Sequence, residues 1–349
     1  MLKKMGLLIA LGCLCLGLIP ALAQGERVTL IAHDSFSVSE EVLAAFEAET
    51  GMEVEIVLAG DAGTMVNQAI LSRNNPQGDV LFGVDNTFLG RALENDLFEP
   101  YQSPLLEDVP AEFILDPDYR VTPIDYGDVC LNYDVAYFED NDLPLPTHLR
   151  DLTDPQYKGL LVVENPAISS PGLAFLLVTV AAFGEDGEYT YLDFWEDLVA
   201  NDVLVVNDWT SAYFGAFTVG GGGDRPLVVS YASSPPAEII FAEEPLDAAP
   251  TGSIVTEGTC FRQIEFAGIL SGTENREAAE KLIDYMLSEA FQEDMPLQMF
   301  VFPVNPQADL PPEFVEYAQL AEEPVTLSPE DIEAKRDEWI QAWTKTVLR

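Results

Sequence analysis

Apolar and polar positions follow two alternating rhythms along this chain. "VTLIA" is a short apolar run of strand type, and in the next stretch, "SVSEEVLAAFEAETG", Val42, Leu43 and Phe46 recur at helical spacing. Ser37 and Glu40 have the spacing of a capping box, and Gly51 supplies a stop. "MEVEIVLA" reads as a second strand, "GTMVNQAILSR" as a helix and "DVLFGV" as a third strand. The second half repeats this grammar: "LLVVE" is a strand, "PGLAFLLVTVAAF" a helix, "VLVVN" a strand, "SAYFGAFTV" a helix and "PLVVSY" a strand. Strands and helices in this order predict an α/β protein of two lobes, each a mostly parallel sheet flanked by helices. Gly220 to Gly223 lacks the lysine and hydroxyl residue of a phosphate loop and reads as a flexible turn before a strand.

Two longer segments, "IDYGDVCLNYD" and "GTCFRQIEFAGIL", have the look of chain crossing between lobes. The tail has Ser328 as helix cap, Pro329 at the first position, and Trp339 and Trp343 one turn apart, which points to packing.

The extreme N-terminus adds a compartment. Lys3 and Lys4 precede an apolar run from Leu7 to Leu22 that closes in "ALA" before Gln24, the pattern of a cleaved signal peptide over residues 1–23. A lipoprotein would need cleavage before Cys13 or Cys15, and both lie inside the apolar run. Loss of the leader leaves Cys130 and Cys260 in an oxidising compartment, where a disulfide is expected and two separately buried thiols are the alternative. The chain carries 60 acidic side chains against 16 Lys and Arg, a formal charge of -44, which makes nucleic acid and anionic membrane poor partners. Solubility or salt tolerance accounts for much of that charge, and attraction of a cationic ligand is the sharper reading.

Candidate chemistry gathers where strands end. "VTLIAHDS" leads to His33, Asp34 and Ser35, "VLFGVDN" to Asp85 and Asn86, and "LLVVENP" to Glu164 and Asn165. "VLVVNDW" leads to Asp208 and Trp209, and "LVVSYASS" to Tyr231, Ser233 and Ser234. In open α/β sheets ligands bind beyond the carboxyl ends of the strands, so in two lobes these clusters would line a cleft from both sides. Any one of them alone is also an ordinary turn or helix cap. Together, acids, hydroxyls and rings suit a small cation, since each ring face adds about 0.5–2 kcal/mol of cation–π attraction. A catalytic set is hard to build: His33 and His148 are the only histidines, and no metalloprotease, nucleophile-elbow or cysteine-rich metal motif occurs. The expectation is a binder with no catalytic residues, no metal and no cofactor.

Taken in order, "DSF", "DVLFGVDNTFL", "TPIDYGDVCLNYD", "SSPGLAFLL", "VVNDWTSAYFGAF", "LVVSYASSP" and "FVFPV" resemble the thiamine-binding periplasmic proteins of bacterial ABC importers. These belong to the two-lobed type II periplasmic-binding-protein fold, with a ligand cleft between two mostly parallel sheets. The resemblance implies a soluble monomer that captures thiamine or its phosphates and docks on a membrane permease. It assigns residues 24–125 and 262–300 to the first lobe and 126–261 and 301–349 to the second. By position it implies ligand contacts from Asp34, Ser35, Asp85, Asn86, Asp125 and Tyr126 on one side, and from Trp209, Tyr213, Tyr231 and Ser234 on the other, with Phe300 where a tryptophan is frequent. Ser169 and Ser170, before Pro171, would place free helix amides near a phosphate, or would simply cap the helix.

The chain departs from the family at His33, where tyrosine is frequent, and at Pro236 and Ala237, where a further aromatic residue is frequent, so stacking is expected to be thinner. A polyamine is the rival ligand, and an acid-based secreted hydrolase is the rival class.

Overall fold

The protein is described by a computed structural model covering residues 27–242 and 244–348. The proposed signal peptide lies outside the described residues. In chain order the strands are β1 (Arg27–Ala32), β2 (Glu53–Leu58), β3 (Val80–Asp85), β4 (Phe98–Glu99), β5 (Thr122–Asp134), β6 (Leu161–Glu164), β7 (Leu204–Val206), β8 (Leu227–Tyr231), β9 (Thr251–Ile254), β10 (Phe261–Leu270) and β11 (Phe302–Pro303). β2, β1 and β3 pair in parallel in one half, and β7, β6 and β8 pair in parallel in the other. These are the βαβ units expected of two lobes.

The two sheets are joined. β10 lies antiparallel between β3 and β5, and β5 continues antiparallel to β8, so one hydrogen-bonded order runs β2-β1-β3-β10-β5-β8-β6-β7. The two segments expected to cross between lobes are this central pair. Cys260 immediately precedes β10, opposite Cys130 in β5, and the two form a disulfide. That pairing is therefore present, in the place where the two halves meet.

Local chemistry explains the elements. All six residues of β3 are buried, as a strand covered on both faces requires. The helix Ser170–Phe183 carries an almost unbroken apolar run and is buried along most of its length. Helix Glu40–Thr50 begins two residues later than the capping-box spacing suggests: Ser39 caps it by accepting from the Val42 amide at 3.3 Å, and Ser37 instead donates to Gln298 at 3.1 Å. Gly51 ends it in the left-handed conformation at φ 74°.

"SAYFGAFTV" is not an ordinary helix. Ser211–Ala216 forms a π-helical turn and Thr218–Gly221 a short helix closed by Gly222 at φ 66°, so the first two of the four glycines extend a helix. The C-terminal helix Pro329–Val347 packs on the helices Tyr191–Ala200 and Leu89–Glu94, and so touches both halves. Trp343 is fully buried, edge-on to Trp195 with ring centroids 5.5 Å apart, in the packing role its spacing predicts.

Candidate functional site

The strand ends converge on a cavity of about 640 Å³, lined by the loop after β1, the start of helix Ala62–Ser72, the start of helix Ser170–Phe183, the Asp208–Phe214 turn, the end of β8 and the segment Gln298–Val301. Such a volume matches the pockets that enclose small organic ligands. Residues from both halves face it across the β5/β10 junction.

Of the residues picked from sequence, Asp34, Ser35, Ser170, Trp209, Tyr213, Tyr231, Ser234 and Phe300 line the cavity. Asp34 is held in place by the Gly60 amide, which donates to its carboxylate at 2.7 Å. Trp209 and Tyr213 stack with centroids 5.1 Å apart, and the indole N–H donates to Ser230 Oγ at 3.0 Å, which in turn lies 3.2 Å from Ser234 Oγ. Behind them sit Val162, Ala212, Phe217 and Val228, so the indole rests on core while remaining in the cavity wall. The Tyr213 hydroxyl donates to Glu238 at 2.9 Å, and Gln263 donates to the Tyr231 hydroxyl oxygen at 2.8 Å. Phe300 adopts φ 55°, a strained conformation for a non-glycine residue, and meets Phe241 edge to face at 5.5 Å.

The other five stand off the wall. Asp85 is buried one layer down, where it accepts from the Ser170 hydroxyl and, at 2.7 Å, from the Thr87 amide. Asn86 bridges β3 to β10, donating to the Arg262 carbonyl at 2.9 Å and accepting from the Ile264 amide at 3.1 Å, which is a structural duty. Asp125 is buried opposite Glu265 across the β5/β10 ladder, with no hydrogen-bond donor on either carboxyl oxygen. Tyr126 packs between Phe113 and Phe302 with the Arg262 guanidinium over its ring, away from the cavity. Ser169 is buried at the cap of helix Ser170–Phe183.

Alternation explains part of this split. Neighbours in a strand point to opposite faces, so Asp125 and Tyr126 cannot both reach one cleft.

The cavity also contains groups that sequence reasoning passed over. Asp61, Glu238 and Glu265 line it, as do the half-exposed Phe214 and the largely exposed Phe241. Asp61 follows the end of β2 and was within reach of the same strand-end logic; Glu265 lies inside β10, where nothing local marks it. His33 and Asp208, noted at strand ends, line it too.

The electrostatics are one-sided. Five carboxylates line the cavity and, among the described lining residues, His33 is the one basic side chain. Burial disfavours the imidazolium, but Glu265 at 3.4 Å, with Asp61 and Asp85 beyond, outweighs it and raises the His33 pKa above its ordinary value. Burial pushes Asp85 up to about 6 despite its hydrogen bonds from Ser170 and Thr87. Asp61 is raised by burial, and Asp125 and Glu164 are held well above the usual carboxylate range by burial and by neighbouring acids. A cavity of this kind is short of positive charge.

Two lobes bridged by a crossing pair of strands, with an acidic and aromatic cavity at their junction, have the architecture of a solute-binding protein. The profile of the bacterial extracellular solute-binding proteins matches residues 75–321, and the chain belongs to that family. It is 30% identical over 337 residues to a thiamine-binding periplasmic protein of Salmonella typhimurium, covering 95% of this chain and 96% of the relative. The thiamine-binding periplasmic protein of Escherichia coli is 29% identical, covering 92% and 94%. A solved periplasmic thiamin binding protein superposes with a TM-score of 0.81 at 25% identity, over 93% of this chain and 96% of that one. The type II fold expected from sequence is the fold observed.

Proposed function

We propose that this protein captures thiamine in the interlobe cleft and delivers it to the permease of an ABC importer, after export to the periplasm. The observation that carries the reading is the cavity wall, in which five carboxylates and the stacked Trp209–Tyr213 pair face one space that, among the described residues, holds no lysine or arginine. A thiazolium cation gains from both. Carboxylates offset its charge, and a ring face over it adds about 0.5–2 kcal/mol beyond simple burial. The names of the relatives that span nearly the whole chain support the same ligand.

Ligand contact from both halves supplies the difference in affinity that any closure of the cleft requires. Catalysis has no part in this reading; the ligand leaves unchanged. Calorimetric titration of the mature protein with thiamine and with spermidine tests it, together with mass spectrometry of the molecule released on denaturing freshly purified protein. Thiamine binding with an intact released ligand is expected; spermidine binding in its place would overturn the assignment.

A further inference from the structure

Glu265 stands in the middle of a row of three acids at the junction of the two halves. In the register of the sheet it lies opposite Asp85 of β3 on one side and opposite Asp125 of β5 on the other. Residues directly opposite on neighbouring strands share a face, and like charges in such pairs repel. Asp85 and Asp125 are 0% exposed and Glu265 5%, and Glu265 alone of the three reaches the cavity wall.

The surroundings do not compensate three charges. Asp85 accepts from the Ser170 hydroxyl and the Thr87 amide. Asp125 faces Glu265, and neither of its oxygens receives a hydrogen bond among the described residues. A buried carboxyl group set against another carboxyl group is hydrogen-bonded only if it holds a proton and donates it. Burial and the neighbouring Glu265 hold Asp125 well above the usual carboxylate range, in keeping with that proton. Of the other titratable groups around the row, Asp61 at the cap of helix Ala62–Ser72 and Tyr231 at the end of β8 bring no positive charge. His33, just beyond β1, does when protonated, with Nε2 3.4 Å from Glu265.

The empty protein thus keeps protons beside a cavity that holds no lysine or arginine among its described lining residues. A cation at the Glu265 wall stabilises ionised carboxyl groups and disfavours an imidazolium, so it drives protons off both kinds of group. Resting on the thiamine reading, we propose that the Asp85–Glu265–Asp125 row, with His33, is a proton-exchange site that is protonated in the empty cleft and releases protons to solvent when the thiazolium cation enters. Binding and deprotonation favour each other by the reciprocity of linked equilibria, so affinity for the cation rises with pH. Asp125 touches no ligand in this scheme and acts through Glu265.

The test is calorimetric titration of the mature protein with thiamine in buffers of different ionisation enthalpy, where the slope of observed heat against buffer enthalpy counts the protons released. At about pH 7 the wild type should release roughly 0.3–1 proton per thiamine, and Kd should fall about 3- to 30-fold from about pH 6.5 to about pH 8. Asp125→Asn gives Glu265 a fixed amide donor; it should still bind thiamine and release at most about half as many protons. Glu265→Gln should lower the count as well while weakening binding, and His33→Gln measures the imidazole's share; circular dichroism melts confirm folding. The wild-type count stands whether or not a variant folds. Thiamine binding with no dependence on buffer or pH would overturn the proposal and leave the thiamine reading intact. Proton release unchanged in both Asp125→Asn and Glu265→Gln would overturn its assignment to this row. Failure of thiamine to bind the wild type at any pH would instead overturn the thiamine reading itself.

Discussion

Trp209 and Tyr213 lie ring on ring, their planes 19° from parallel, and Phe214 meets the same indole edge-on at 5.3 Å. One indole face is thus covered by phenol, and the residue still belongs to the cavity wall. Losing the ring removes a cation–π partner worth up to about 2 kcal/mol together with apolar contact. Trp209→Ala is expected to weaken thiamine binding by roughly 10- to 100-fold, at about 1.4 kcal/mol per decade, and Trp209→Phe to recover much of it. Calorimetry decides this, and a Trp209→Ala variant with wild-type affinity would refute a stacking role.

Acidification should stabilise the empty protein. Asp85, raised to about 6, and Asp61, Asp125 and Glu164, raised by burial, bind protons more readily folded than unfolded, so the penalty for their ionisation is fully present above their folded values and vanishes below the ordinary carboxylate range. His33 has the same sign: its raised pKa gives stability that is complete below the unfolded value and is lost as pH rises through the folded one. Asp116 and Asp151, held below the ordinary range against their own burial by bonds from Arg120 and from the Thr147 and His148 amides, oppose this only once the pH falls toward and below about 4. The melting temperature should therefore rise from about pH 8 to about pH 5. Over the same window the thiamine-induced increment should shrink, because protonated acids no longer attract a cation. Calorimetric melts with and without thiamine check both trends.

The Cys130–Cys260 disulfide closes a loop with a sequence separation of 130. In the chain-entropy account a loop of that length contributes about 4–5 kcal/mol. The paired Cys130→Ser, Cys260→Ser variant should lose stability of that order in urea unfolding yet bind thiamine within a few-fold of the wild type, since neither sulfur lines the cavity.

Gly83 sits in the middle of β3 at φ 90°, and a Cβ there would lie 2.2 Å from His33 Cδ2. Only glycine lets the strand pass beneath the imidazole. Gly83→Ala combines left-handed strain of about 1–2 kcal/mol with overpacking of about 1–3, and should cost roughly 2–5 kcal/mol while displacing His33 from Glu265. Denaturant unfolding measures the first effect and thiamine titration the second.

Much of this was legible in the sequence, because local signals sufficed. Short apolar runs gave the strands, Gly51 and Pro329 marked helix ends, and strand-end polarity led to Asp34, Trp209 and Tyr231. What stayed hidden depends on register between distant segments. Glu265 faces the cavity because β10 pairs with β5 at Asp125, and no local pattern announces a ladder formed across more than a hundred residues. Phe241, just after helix Pro235–Ile240, meets Phe300, in the turn before β11, and nothing in either segment marks that meeting. Asn86 and Tyr126 stand beside Asp85 and Asp125, which are themselves buried off the cavity wall, and hydrogen bonding to β10 and ring packing against Phe113 and Phe302 hold the pair elsewhere. The π-helical turn at Ser211–Ala216 was read as ordinary helix because its apolar spacing is nearly helical.

The place of β10 in the sheet also governs the order in which the molecule can be finished. β3 and β5 are synthesised long before the strand that fills the gap between them, so a growing chain that has not reached residue 261 leaves two long edges unsatisfied. Closure of the sheet is thereby deferred to the last quarter of the chain, and both halves wait on one strand to become a single ladder.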